Sequence, residues 1–269
     1  MAELRHARPT GISVVIPHHD RPGLLQRAVD SVCAGAAERA EIIVVDDASP
    51  ADPCTELPAR NAAGIPVRCV RQARNRGPQA ARNLGIRRAR FSHVALLDSD
   101  DEFLPAKLDH LLALVDREDP DFVFHAVLGM ERYARIADIW WRQGRPWLGL
   151  PWLLALLNPA PTPGVLLRRG LGLGPPGLRH AEDWAFLLHV VGPGTRVRWL
   201  AEPLARVHRA PGSLGGLSAA RAAMRRGEFQ ARRLLCRQSG PGPRVRWLLG
   251  TLAGLARMAA DRLRGRWSN

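Results

Sequence analysis

The chain has 269 residues, 39 basic against 25 acidic, for a formal net charge of +14. That length suits one large domain, or one domain with an appendage, and is ample for an apolar core. The charge excess is local: Arg221 to Arg266 holds twelve Arg against Glu228 and Asp261, and Lys107 is the only lysine in the chain. The body is therefore nearly balanced. The arginines have few interleaved aromatics, Phe229, Trp247 and Trp267, and no nucleic-acid reader motif occurs, which speaks against a nucleic-acid partner. The four cysteines, at 33, 54, 69 and 236, form no C-x-x-C and have no histidine at zinc spacing. They read as small core or surface residues in a reducing compartment. The N-terminus has no apolar signal core, and the longest uncharged run, between Arg145 and Arg168, is broken by five prolines. A cytoplasmic chain without a transmembrane helix is expected.

In chain order, Ile12 to Ile16 is a β-branched run closed by Pro17 and predicts a first strand. A polar loop, His18-His19-Asp20-Arg21, leads to Pro22 at the first turn of a helix. Glu41 to Val45 predicts strand two, which runs into Asp46-Asp47-Ala48-Ser49-Pro50. Val67 to Val70 predicts strand three, and Gln79 to Arg90 a helix after the turn Asn75-Arg76-Gly77-Pro78. Val94 to Leu97 predicts strand four. A helix is expected from Pro105 to about Arg117 and a strand over Phe122 to Val127. Gly129 to Pro163 reads as irregular, with Trp140, Trp141, Trp147 and Trp152 either in the core or lining a cleft. Gly164 to Leu167 predicts a strand, Glu182 to Val191 a helix, Arg196 to Leu200 a strand, and Arg206 to Leu214 a loop.

Strand–helix alternation at this spacing predicts a doubly wound, mostly parallel sheet. In such sheets ligands bind beyond the carboxyl ends of the strands. Three polar clusters fall there: Pro17 to Asp20, Asp46-Asp47, and Asp98 to Asp101. The stretch Asp98-Ser99-Asp100-Asp101-Glu102 places four carboxylates at one strand tip, where they repel one another unless something positive sits among them. Asp98-x-Asp100 suits a hard divalent cation carried on substrate phosphates. The alternative is an acidic loop with Asp101 capping the next helix. Asp46 and Asp47 can equally form a turn through their own side chains, and Glu182-Asp183 can simply favour a helix N-terminus. No dinucleotide fingerprint or phosphate-binding P-loop is present.

These segments carry a family resemblance. Val14-Val15-Ile16-Pro17 with Arg21-Pro22, Ile43 to Ser49, Asn75-Arg76-Gly77 with Ala81-Arg82-Asn83, Leu97 to Asp101, Glu182-Asp183 and a late His208 before Pro211-Gly212-Ser213 resemble the family 2 glycosyltransferases in order and spacing. The resemblance implies a GT-A fold: an α/β, Rossmann-like, mostly parallel sheet flanked by helices, here over about residues 1–216. A nucleotide-binding half would span about 10–128 and an acceptor half 129–216. Residues 217–269 would form a basic amphipathic helical appendage. It implies that Pro17, His19 and Asp46 hold the nucleotide base and that Arg76 lies near the nucleotide, rather than Arg74 or Arg82. Asp100 would bind Mg²⁺ or Mn²⁺ on the diphosphate with Asp98 supporting, and His208 would approach the diphosphate or metal. Asp183 would be the general base, with Glu182 and Trp184 beside the acceptor. The implied activity is metal-assisted, inverting transfer of a sugar from a nucleotide-sugar, UDP-linked for preference, to a carbohydrate or lipid-linked acceptor in bacterial cell-surface polysaccharide or glycolipid synthesis. A catalytically silent scaffold of the same fold is the other expectation. His19-Asp20 departs from the family's aromatic-Asn pair.

The appendage predicts two helices, Leu217 to Arg237 and Val245 to Arg266. In the second, Trp247, Leu248, Leu249, Leu252, Leu255 and Met258 lie between Arg clusters. That pattern fits either contact with an anionic membrane at the inner face of the cytoplasmic membrane, or packing on the catalytic domain.

Overall fold

A computed structural model describes residues 8–142, 149–175, 177–209, 220–233 and 241–263. Eight strands form one sheet: β1 (Ile12–His18), β2 (Ala40–Asp46), β3 (Val67–Arg71), β4 (His93–Leu96), β5 (Glu102–Phe103), β6 (Phe122–Leu128), β7 (Val165–Arg168) and β8 (Val197–Arg206). Their order is β3-β2-β1-β4-β7-β6-β8-β5. β1, β2, β3 and β4 run parallel, β7 is antiparallel to β4 and β6, β8 is parallel to β6, and β5 is antiparallel to β8.

β1, β2, β4 and β6 are buried over nearly their whole length because both faces of the sheet are covered there, whereas β3 and β8 carry arginines and are partly exposed. Alternate residues serve different cores. Val15, Ile43, Val45, Val94 and Leu96 face one cluster, and Ile12, Val14, Ile16, Ile42, Val44 and Leu97 face the other. Helix α1 (Pro22–Asp30) and α3 (Lys107–Glu118) contribute Leu25, Val29, Leu108 and Leu111 to the second cluster. The first takes Ala81 and Ile86 of α2 (Pro78–Arg88), Ala137 of α4 (Glu131–Arg142), Leu153 of α5 (Gly149–Leu156) and Phe186 of α6 (Glu182–Val190). α2 approaches β1 so closely that a Cβ on Gly85 would collide with Val15.

β1 continues through Pro17, which was expected to end it. A proline is tolerated there because β4 stops opposite Val15, whose carbonyl takes the Leu97 amide. No ladder donor is missing at Pro17. The stretch expected to be irregular after Gly129 instead forms α4 and α5. Ile136, Ala137 and Trp140 supply α4 with a buried face at helical spacing. β8 extends beyond Leu200 to Arg206, with a shifted register beside Pro203, and β5 was not foreseen. α3 starts at Lys107 with no side-chain cap, so Asp101 does not cap it. Of the loop expected over 206–214, residues 210–214 lie outside the described residues, as do Trp147 and Trp267.

α7 (Arg221–Arg233) packs on α6, and α8 (Pro241–Leu263) packs on α5 and α7. Arg232 is buried, with its guanidinium 4.4 Å from the Trp184 ring centroid and Nε donating to the Ala155 carbonyl. No helix among the described residues is long and apolar enough to cross a membrane.

The cysteines need a correction. Cys54, in the short helical turn Pro53–Thr55, is disulfide-bonded to Cys69 on β3, with Cα atoms 5.3 Å apart. The expectation of unpaired thiols missed this because the two are 15 residues apart in sequence and meet only when the loop after β2 folds back over β3.

Candidate active site

β1 has β2 on one side and β4 on the other, so the strand order reverses there. A cavity of about 530 Å³ opens at this switch point. It is lined by Pro17 and His18 at the end of β1, His19 just after it, Asp47 after β2, Asp98 to Asp101 after β4, Arg82 of α2, and Glu182-Asp183 at the start of α6. Three non-glycine residues in these loops, Asp20, Ala48 and Ala181, have φ of 50°, 60° and 54°. Left-handed backbone at such residues costs energy and concentrates at functional loops. At Ala181 it turns the chain abruptly into α6, which brings Glu182 and Asp183 to the cavity wall.

Asp98 to Asp101 form a tight turn closed by the Asp101 amide on the Asp98 carbonyl at 3.0 Å. Each carboxylate meets a donor. Arg21 Nη1 lies 2.6 Å from Asp100 Oδ2. Arg82 Nη2 lies 2.8 Å from Asp98 Oδ1, and its Nη1 3.4 Å from Glu182 Oε1. Burial opposes the charge on Arg82, but Asp98 and Glu182 more than offset it, so the guanidinium stays charged. Burial and the neighbouring Asp98 and Asp100 push the Asp101 carboxyl up to about 8. Its Oδ1 accepts the His208 amide, because β5 pairs with the end of β8 and carries His208 alongside.

Burial and the adjacent Asp183 push Glu182 up to about 7. Burial also raises Asp183, against the pull of Arg82. Asn158 Nδ2 donates to Asp183 Oδ2 at 3.0 Å and fixes that carboxylate's orientation.

Several expected residues sit elsewhere. Asp46 is fully buried, where it accepts from the Ser49 amide and hydroxyl and lies 3.4 Å from Arg71. Its carboxylate does not line the cavity, whereas Asp47 does. Asp47 accepts from Gln72 Nε2 and from the amides of Arg76 and Gly77. Arg76 therefore holds the site through its backbone, and its side chain is exposed. His208 Nε2 lies 2.9 Å from Glu102 Oε2, not on Asp98 or Asp100. Trp184 is only 5% exposed and donates to the Leu154 carbonyl, so it belongs to the core under Arg232 rather than beside an acceptor. No tryptophan lines the cavity among the described residues.

Among the described residues no three His, Cys, Asp or Glu side chains converge as a metal cage. Mg²⁺ and its relatives need only one or two carboxylates when phosphates supply the rest. Asp98 and Asp100 at one wall fit that donor set, and the acidic surplus that raises Asp101 is what a cation would relieve.

Residues 13–147 match the family described as glycosyl transferase family 2. The chain belongs to this family. Relatives include the succinoglycan biosynthesis proteins ExoO and ExoU of Rhizobium meliloti (strain 1021). ExoO is 38% identical over 111 residues, covering 40% of this chain and 30% of that protein. ExoU is 36% identical over 107 residues, covering 40% and 31%. An uncharacterized glycosyltransferase of Rickettsia felis is 36% identical over 115 residues, 43% of this chain and 18% of its own length. The matches thus span less than a third of these relatives. Two solved structures share the fold. S. aureus TarS 1-349 in complex with UDP-GlcNAc aligns with a TM-score of 0.65 at 17% identity, over 86% of this chain and 68% of that one. The mannosyltransferase PcManGT of Pyrobaculum calidifontis, in complex with GDP-Man and Mn²⁺, also gives 0.65, at 18% identity over 96% and 76%. The GT-A architecture expected from the motifs is the architecture of this family 2 chain.

Proposed function

We propose that the chain is a glycosyltransferase that moves a sugar from a nucleotide-sugar donor, a UDP-sugar first among them, to an acceptor hydroxyl with inversion. The acceptor would be a carbohydrate or a lipid-linked glycan in cell-surface polysaccharide or glycolipid synthesis, and the enzyme would work at the inner face of the cytoplasmic membrane. The observation that carries this reading is the convergence of Asp98, Asp100, Arg82 and Asp183 on one cavity at the switch point. The relatives named for succinoglycan biosynthesis and the fold neighbours holding UDP-GlcNAc and GDP-Man support the substrate class.

In this reading Pro17 and His19 border the base and Asp47 braces the loop at Gly77 that borders the nucleotide. Asp98 and Asp100 would hold Mg²⁺ or Mn²⁺, which when bound neutralises charge on the departing diphosphate. Asp183, oriented by Asn158, accepts the proton of the attacking hydroxyl as the C–O bond to the sugar forms and the bond to the diphosphate breaks. Its raised pKa makes it a stronger base than an ordinary carboxylate. Attack from the side opposite the diphosphate inverts the anomeric centre.

A catalytically silent scaffold is favoured by one observation: Arg21 and Arg82 already pair with Asp100 and Asp98. The test is nucleoside-diphosphate release from UDP-, GDP- and dTDP-sugars with a panel of glycan acceptors, with Mn²⁺ and with chelator. Metal-dependent release and an inverted product support the transferase. A retained configuration removes Asp183 as direct base, and no release from any donor favours the scaffold.

A further inference from the structure

We propose that the outer face of α8 docks the protein on an anionic lipid bilayer. This deepens the peripheral-membrane part of the reading above. It does not rest on the transferase chemistry, so either can fail alone.

α8 has two unlike sides. Its inner side is seated: Arg246 is buried, and a Cβ at Gly250 would run into the Ala155 carbonyl and Arg232. On its outer side Val245, Leu248, Leu249, Leu252 and Leu255 are each between 45% and 54% exposed. Their spacing of three or four residues places them in one stripe along the helix. Beyond these five, the large exposed hydrophobics among the described residues are Ile139 and Trp141 on α4. Scattered exposed leucines are ordinary, but a continuous stripe marks a surface that meets another phase or partner.

Charge decides the occupant. The stretch Arg221 to Arg266 carries twelve Arg against two acids. Of these acids Glu228 is drawn inward, within 2.8 Å of Arg225 and 3.7 Å of Arg232 and Arg257. Arg226, Arg233 and Arg244 are exposed. A second copy of the chain would bring the same positive field against this one, which repels. An anionic headgroup layer complements it and offers an apolar layer beneath for the leucines. With arginines at its start and no apolar span long enough to cross, the helix suits the plane of the interface.

The test is flotation of the full chain with vesicles of equal parts phosphatidylglycerol and phosphatidylcholine, and with pure phosphatidylcholine vesicles. The expected result is binding to the anionic vesicles only, weakened by salt. Leu248→Asp combined with Leu252→Asp should lower it by about tenfold or more, with circular dichroism and melting temperature unchanged. Val245→Ser with Leu255→Ser, a milder pair on the same stripe, should weaken it less. Equal flotation of wild type and both variants, or equal binding to neutral vesicles, would overturn the proposal. So would a dimer in light scattering that the Asp pair dissociates without any vesicle binding, which would give the face to a second copy.

Discussion

Arg82 Nη2 lies 2.8 Å from Asp98 Oδ1 while Nη1 of the same guanidinium lies 3.4 Å from Glu182 Oε1. One buried side chain of α2 therefore ties the end of β4 to the start of α6, 100 residues apart in sequence from Arg82 to Glu182. A lysine keeps the charge but not the fork. Arg82→Lys is expected to lower kcat by on the order of 100-fold, the scale for losing a preorganised electrostatic partner. Arg82→Ala leaves two carboxylates without their cation and should cost about 3–5 kcal/mol of stability. Steady-state kinetics and thermal melts check both.

Activity and stability should respond to pH with opposite signs. Asp183 acts as a base only when ionised, and burial holds its pKa above the usual range, so kcat/KM should rise with pH along a limb higher than an ordinary aspartate gives. Glu182 is held at about 7 against 4.5 when unfolded, so the native state binds its proton more tightly. Its contribution to stability is full below 4.5 and is lost as pH rises through 7. Melting temperature should therefore fall as pH rises through about 7. Glu182→Gln should flatten the stability slope and keep a kcat/KM limb due to Asp183.

Much of this site was legible because strand tips announce themselves. Apolar runs ending in Pro17, Asp46-Asp47 and Asp98 to Asp101 placed three loops at one end of the sheet without any structure. Burial was less legible. Arg82 stood beside Arg74 and Arg76 as one of several arginines. Packing of α2 on β1 and the pairing with Asp98 and Glu182 hold Arg82 inward, while Arg76 stays exposed. Trp184 looked like an acceptor contact, yet the partner that buries it, Arg232, comes from the appendage. Asn158 was missed in the Pro-rich run Asn158-Pro159-Ala160-Pro161, where a lone amide among apolar residues was the available signal.

The Cys54–Cys69 bond closes a loop of 15 residues beside β3, whose Arg71 also reaches Asp46. A loop of that size corresponds to about 3 kcal/mol in the chain-entropy account. Cys69→Ser, or reduction of the wild type, should lower stability by about that amount. Alkylation without reductant should label Cys33 and spare Cys54 and Cys69.

The appendage should also matter to Asp183 from a distance. Arg232 stacks on Trp184, and its Nε holds the carbonyl of Ala155, three residues before Asn158. Gly250→Leu would push α8 off both. It is expected to expose α7–α8 to limited proteolysis and to lower kcat with little change in donor KM, because the loosened groups are Asn158 and Asp183. Arg232→Met, which fills the space without the charge, should keep the fold better than Arg232→Ala, expected to cost about 2–4 kcal/mol.

Isothermal titration of UDP and GDP into wild type and Asp100→Ala, with and without Mn²⁺, asks whether Asp98 and Asp100 hold a metal-bound nucleotide. The expected result is metal-dependent binding of one nucleotide to wild type and its loss in the variant, with both proteins melting cooperatively. Binding that is unchanged by the substitution, or no binding of either nucleotide to folded wild type, would contradict it.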